Sequence, residues 1–356
     1  MNFRIKNLDG IRAYSVIIVV INHLILNNKI TLNIDNHFIE SFVMFILDGQ
    51  FGVSIFFVLS GFLINTLLIR EERKKKYINV KNFYYRRALR IIPPFLLLLL
   101  FYLILDIFSY VEISHDSWLT MITYTKWLNW KLDQITAHTW SLGIEQFFYL
   151  FWPIIFILFK KNRIKITISL IVIPTIFRIY NFIYPESCIL LNELSLFIRV
   201  DSILIGCLLA LKFERINEVI INNKKTMFFL LIALVIIVTW IPLLQCNLKI
   251  INQLSKFLGA VIFSHSGFAV NLIILIFITL TIDSKNKLFI LDNIFVNYIA
   301  KISYGLYLWQ QFFTCSSNSW YSNLWISIFF IILIPTISYF LLEKNVLKLK
   351  NKFDSD

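Results

Sequence analysis

The sequence predicts an all-α, polytopic transmembrane helix bundle of about ten spans with both termini cytoplasmic, and three observations carry that prediction. Of 356 residues, 58% are hydrophobic and only 15% are charged, with a mean hydropathy of +0.74, well outside the range of water-soluble domains. The apolar residues gather in runs long enough to cross hydrocarbon, where a helix satisfies its own backbone hydrogen bonds. The net charge of +13 sits in short clusters between those runs, not along one exposed face, so membrane topology accounts for it better than a nucleic-acid partner.

Taken in order, the spans fall near residues 11–28, 42–69, 91–109, 142–159, 164–181, 194–212, 226–244, 266–282, 298–314 and 323–342. The positive-inside rule tests the count, because a missed span would exchange the two sides for everything downstream. With the N-terminus inside, Arg4 and Lys6, the dense Arg70 to Arg90 loop, and Lys160, Lys161, Arg163 and Lys165 all become cytoplasmic. So do Lys212, Arg215, Lys224 and Lys225, then Lys285, Lys287 and Lys301, and the tail from Lys344 to Lys352. Lys29, Lys126, Lys131, Lys249 and Lys256 remain outside. Two outer segments exceed simple connectors. Residues 110–141 carry Trp118, Trp127, Trp130 and Trp140, which reads as a membrane-interface segment with a short interfacial or re-entrant helix, suited to be a lid; residues 245–265 form the other. Residues 1–345 read as one transmembrane domain and 346–356 as a short basic tail.

Cys188, Cys207, Cys246 and Cys315 are widely spaced, without the pattern of a metal site or disulfide framework, and no metal is expected. Arg4 and Lys6 before an apolar run resemble a secretory signal, but no small-residue cleavage site follows, so this run is kept as the first span.

Ionisable side chains inside spans are costly, so each is a candidate for function. Asp9, Arg12 and His23 come first. Arg12 and His23 are eleven residues apart, about 20° past three turns with ~16 Å of rise, so one helix face joins a cation at the cytoplasmic mouth to an imidazole within the bilayer. The competing reading is a snorkelling Arg and a hydrogen-bonded His. Glu145 follows Trp140 and Ser141 at the outer end of the fourth span, a carboxylate that desolvation would protonate unless a nearby cation holds it ionised. Its depth matches that of His23, and a carboxylate that orients a histidine makes a competent general base; a structural ion pair with Arg178 or Arg199 is the alternative. Arg87 and Arg90, at i and i+3 before Pro93 and Pro94, project together and can clamp phosphates, although basic clusters there also serve topology or meet lipid headgroups. Arg199 and Asp201 read as a self-satisfied ion pair, and the small residues Gly49, Gly52, Ser60 and Gly61 as sites of close helix packing.

Together, Leu8–His23, Gly49–Leu63, Arg86–Pro94, Trp140–Pro153, Arg199–Gly206 and Ser303–Trp309 resemble, in order and across nearly the whole chain, acyltransferase family three. These integral membrane enzymes move acyl groups onto sugars and other envelope or secreted molecules. The resemblance implies catalytic roles for His23 and Glu145, donor binding by Arg12, Arg87 and Arg90, and support from Asp9, Trp140, Ser141, Arg199 and Asp201. It implies no bound cofactor, acyl-CoA (acetyl-CoA) as co-substrate, a hydroxyl of an envelope or exported glycan or its lipid-linked precursor as acceptor, and a bacterial plasma membrane as location. Direct transfer and a covalent acyl intermediate both remain open. The family's Ser303–Trp309 motif usually continues into His, where this chain has Gln310, so the resemblance assigns that position no role. The chain matches the membrane-only form, without the fused extracytoplasmic hydrolase-like domain of some relatives. A transporter or flippase of a glycan precursor or acyl group is the reading from another class, against which the absence of clear internal repeats counts.

Overall fold

The computed structural model describes residues 6–128, 133–183, 199–240, 267–283, 288–315 and 323–350, and among these residues the protein is all-helical. The outer segment expected over 245–265, Cys188, Cys246 and Trp130 lie outside the described residues. The helices are α1 (Lys6–Leu26), α2 (His37–Ile46), α3 (Gly49–Lys75), α4 (Val80–Ile107), α5 (His115–Ile122), α6 (Thr139–Leu158) and α7 (Arg163–Ile183). They continue as α8 (Val200–Leu211), α9 (Phe213–Asn222), α10 (Lys224–Trp240), α11 (Phe268–Asp283), α12 (Ile294–Cys315), α13 (Leu324–Ser338) and α14 (Lys344–Lys350).

Five helical stretches are long and apolar enough to cross a membrane: Asn7–Leu26, His37–Lys75, Val80–Ile107, Thr139–Leu158 and Leu324–Leu349. Counting the bent pair α9–α10 makes six, and Val200–Leu211 and Phe268–Ile282 are shorter apolar helices. Leu96, Leu100, Leu103 and Ile107 on α4, with Phe228 and Phe229 on α10, are exposed large hydrophobics. In water such faces would drive association; against lipid chains they are an ordinary surface. The protein is thus a multi-pass membrane protein.

Local chemistry sets the helix boundaries. The second expected span is broken: Asp48 Oδ1 accepts from the backbone N–H of Gln50 (2.6 Å) and Phe51 (3.2 Å), opening α3 as a separate helix after α2. Asn36, Asn79, Ser114 and Asn323 cap α2, α4, α5 and α13 in the same manner. The basic connector after the sixth expected span is itself helical, α9, bent by 94° from α10.

The chain divides into two compact units. The first comprises Met1–Asn22, Leu32–Lys74 and Phe159–Ala300. Its apolar core joins Leu8 and Ile11 of α1, Val58 and Phe62 of α3, and Val270 and Ile274 of α11. Helices α3 and α8 cross at two glycines: a Cβ on Gly61 would stand 1.8 Å from the Ile203 carbonyl oxygen, and one on Gly206 2.0 Å from that of Val58. Only residues without side chains allow such an approach, the packing role expected for small residues in this stretch. Asn65 Nδ2 donates to the Cys207 carbonyl at 2.9 Å across the same crossing.

The second unit comprises His23–Thr31, Lys75–Leu158 and Lys301–Asp356. Tyr102, Phe83, Phe156 and Leu98 are its large buried side chains, and Phe101 meets Trp309 and Phe312 edge-on, each at 5.0 Å. Residues 108–128 and 133–138 are tied by hydrogen bonds to α4, among them Tyr102 Oη to the Ile135 carbonyl at 3.0 Å. Asp106 accepts from Trp118 Nε1 (2.9 Å) and the Ile113 N–H (3.2 Å). Asp133 accepts from the Ser114 N–H (2.8 Å) and hydroxyl (2.6 Å). The expected short helix is α5, followed by a 3₁₀ turn at Lys126–Leu128. Trp127 and Trp140 depart from the interface reading: at 7% and 6% exposure they are packed inside, Trp127 edge-on to Phe147 at 5.6 Å and over the bare backbone of Gly143.

Candidate active site in the second unit

Helix α1 is continuous from Lys6 to Leu26, so Arg12 and His23 share one helix as the spacing requires. Arg12 Nη1 is paired with Asp9 Oδ1 at 3.0 Å, one turn away, which gives Asp9 a definite role in orienting that guanidinium.

His23 belongs to the second unit, where a second imidazole, His138, lies within electrostatic range of it. His138 directly precedes α6, is 3% exposed, and has its proton affinity pushed down to about 3 by burial first and by the charge of His23 second. Its backbone is fixed from α12: Tyr307 Oη donates to the His138 carbonyl at 2.9 Å and lies 2.5 Å from Ser141 Oγ. The expected supporting residue Ser141 is hydrogen-bonded to Tyr307 at the start of α6, and Trp140, its neighbour in sequence, is buried.

Two turns further along α6, Glu145 is 6% exposed and accepts a short hydrogen bond from Tyr149 Oη. The Arg87 guanidinium lies over the Tyr149 ring (5.6 Å) and the Phe83 ring (5.7 Å) and interacts electrostatically with Glu145 and Arg90. A guanidinium held between two aromatic faces is attracted to both rings. Arg87 and Arg90 lie on α4 as expected but differ in surroundings. Arg87 is half-buried among aromatics, whereas Arg90 is exposed and within electrostatic reach of Glu343. Glu343 itself is 6% exposed and closes a π-helical turn, Tyr339–Glu343, of a kind often found at functional sites.

Arg199 and Asp201 lie in the first unit. Asp201 pairs with Arg178 of α7 at 2.5 Å, whereas Arg199 donates to the Gln50 carbonyl and Ser54 Oγ, both at 3.2 Å. Adjacency in sequence favoured an Arg199–Asp201 pair; on a helix the two side chains diverge, and the neighbouring helix supplies the closer cation.

The second unit thus gathers His23, Arg87, Arg90 and Glu145 from three helices and adds His138, Ser141, Tyr149, Tyr307 and Glu343. His138 lay at the end of an outer loop and gave no periodicity signal. Tyr149, four residues after Glu145 on one helix face, was the signal available for the carboxylate's partner. Among the described residues no group of His, Cys, Asp and Glu is arranged to hold a metal ion.

Buried imidazoles, hydroxyls, a carboxylate and arginines within apolar helices are the equipment of a membrane enzyme. A family model described as an acyltransferase domain matches residues 5–342, and the chain belongs to that family, acyltransferase family three. It is 25% identical over 340 residues, 86% of its own length, to a Staphylococcus aureus (strain COL) protein designated "Putative O-acetyltransferase", of which the match covers 50%. It is 25% identical over 62% of its length to the peptidoglycan O-acetyltransferase OatA of Listeria monocytogenes (36% of that protein). It is 27% identical over 58% to the O-acetyltransferase OatA of Staphylococcus aureus (strain NCTC 8325), there covering 34%. The chain spans about half the length or less of these curated relatives. No solved structure matches it.

Proposed function

We propose that the protein is a plasma-membrane O-acetyltransferase that moves an acetyl group from cytoplasmic acetyl-CoA to a hydroxyl of an envelope or exported glycan, or of its lipid-linked precursor. The topology in this reading is ten spans with both termini cytoplasmic. The observation that carries it is the buried group in which Arg87 lies over the ring of Tyr149 and Tyr149 donates to Glu145, in a unit that also holds His23 and His138. The family membership and the names of the relatives support it.

In this reading Arg87 and Arg90 receive the phosphates of the donor, and Arg12, oriented by Asp9, keeps its donor-binding assignment by resemblance to the family. His23 is the general base, a neutral imidazole being suited to accept a proton near neutral pH. Glu145, tied to Tyr149, supports the base by countering positive charge that develops in the unit. By direct attack or through an acyl-enzyme, the balance is the same. The acceptor oxygen forms a C–O bond to the acetyl carbon, the C–S bond breaks, and the hydroxyl proton ends on the sulfur of CoA. Detergent-solubilised protein supplied with acetyl-labelled acetyl-CoA and a glycan acceptor should form a covalent acetylated product, and His23→Ala should abolish it while leaving membrane abundance intact. Undiminished product from that variant would refute the assignment; transport of the acceptor without covalent product would favour a transporter.

A further inference from the structure

Residues 134–138 and one face of α12 place more hydrogen-bonding capacity in a buried position than the protein itself uses. Tyr307, Gln310 and Gln311 stand at i, i+3 and i+4 and so share a face of α12. Tyr307 reaches the His138 carbonyl (2.9 Å) and Gln311 Nε2 the Gln134 carbonyl (2.9 Å), which turns that face towards residues 134–138. His138 and Gln310 are 3% and 0% exposed. Among the described residues, one ring N–H of His138 is directed at the Leu308 carbonyl without reaching ordinary hydrogen-bond geometry, and the other ring nitrogen has no partner. Gln310 Oε1 likewise has none, although its Nε2 donates to Gln311 at 3.3 Å.

A buried polar atom left without a partner costs ~1–3 kcal/mol, so a bound group that satisfies these atoms recovers that energy. A neutral imidazole offers one donor and one acceptor, and the amide oxygen offers a second acceptor. Two acceptors call for a ligand that brings neighbouring hydrogen-bond donors. The acetyl thioester group has none, whereas a polyol has several in a row. Such a ligand would lie beside His23, the proposed base.

We propose that His138 and Gln310 form the acceptor subsite, binding neighbouring hydroxyls of a carbohydrate-like polyol so that one is presented to His23. This inference rests on the acetyltransferase reading. It is tested with the full chain in detergent at saturating acetyl-CoA, using glycerol and a disaccharide muropeptide as probe acceptors. Gln310→Met, which keeps the shape but removes the acceptor oxygen, and His138→Leu should each raise the acceptor KM at least tenfold. Gln310→Met should leave the acetyl-CoA KM within about twofold, which places the change at the acceptor and not at the donor. His138→Asn, which retains a donor and an acceptor, should recover part of the loss. An unchanged acceptor KM in Gln310→Met and His138→Leu, whatever happens to kcat or to protein abundance, overturns the subsite and leaves these atoms to a buried water. Wild-type protein that releases thiol from acetyl-CoA but acetylates neither probe also overturns the subsite alone. Wild-type protein that releases no thiol overturns the enzyme reading beneath it.

Discussion

The crossing of α3 and α8 makes the sharpest structural prediction. In Gly61→Ala the new methyl would sit 1.8 Å from the Ile203 carbonyl oxygen, and in Gly206→Ala 2.0 Å from that of Val58, against about 3.4 Å for ordinary contact. Both obstacles are helical backbone, so no rotamer change relieves them, and the helices must part by roughly 1.5 Å. That separation also strains the Asn65–Cys207 carbonyl bond of 2.9 Å. Overpacking of this kind costs ~1–3 kcal/mol. With rigid backbone on the far side, each single variant belongs near ~3 kcal/mol, a fall in Tm on the order of 5–10 °C. The two clashes share one displacement, so the double variant should cost about as much as either single one instead of their sum. Thermal unfolding in a fixed detergent, followed by tryptophan fluorescence, measures all three. Single variants as stable as wild type, or a strictly additive double variant, would refute the argument that this interface is set by backbone contact.

The buried Arg178–Asp201 pair predicts a different pattern: Arg178→Met strands a carboxylate that is 2% exposed and should cost ~3–5 kcal/mol, whereas Arg178→Met/Asp201→Leu should recover most of it in the same melts. Lys126 is fully buried against Ser117 Oγ at 2.6 Å, and burial lowers its proton affinity from the ordinary 10.5 to about 8, with Asp133 opposing that shift. Between those pH values the unfolded chain binds more protons than the folded one, so this lysine makes stability rise with pH across that window and adds no slope below it. Lys126→Met should remove the rise and stabilise the protein at neutral pH by on the order of 2 kcal/mol, as read from melts at a series of pH values. Arg87→Lys keeps the charge but loses the planar group between Phe83 and Tyr149, and kcat/KM for acetyl-CoA should fall at least tenfold in steady-state assays.

What was legible in the sequence follows from what each kind of signal can carry. Period and composition are local properties, so α1 with Arg12 and His23 on one helix, α4 with Arg87 and Arg90, and the apolar α6 bearing Glu145 were all readable. A break inside an apolar run was not: Asp48 stops one helix and caps the next without disturbing the hydropathy across it. Trp127 and Trp140 misled for a related reason. Aromatics mark interfaces only on average, and Gly143 provides the space into which Trp127 packs.

Pairings across helices were the least legible, and that is where the candidate site departs most from its outline. Depth along a helix limits which residues can meet but does not choose among them. Glu145 was placed as the partner of His23 by depth; the structure adds Tyr149, one turn away, as a hydrogen-bond donor to it and Arg87 as an electrostatic neighbour. A further group within electrostatic range of His23 is the loop residue His138, whose carbonyl is held by Tyr307, 169 positions further along the chain. An imidazole in that position needs no carboxylate to be useful. Buried and neutral, it can hydrogen-bond a hydroxyl without competing with His23 for the proton. Glu145 within electrostatic range of Arg87 offsets the cost of keeping a cation among apolar helices. Under the proposed function the labour would divide by charge: an imidazole and an amide where an uncharged acceptor binds, and the Arg87–Glu145–Tyr149 group where an anionic donor is admitted.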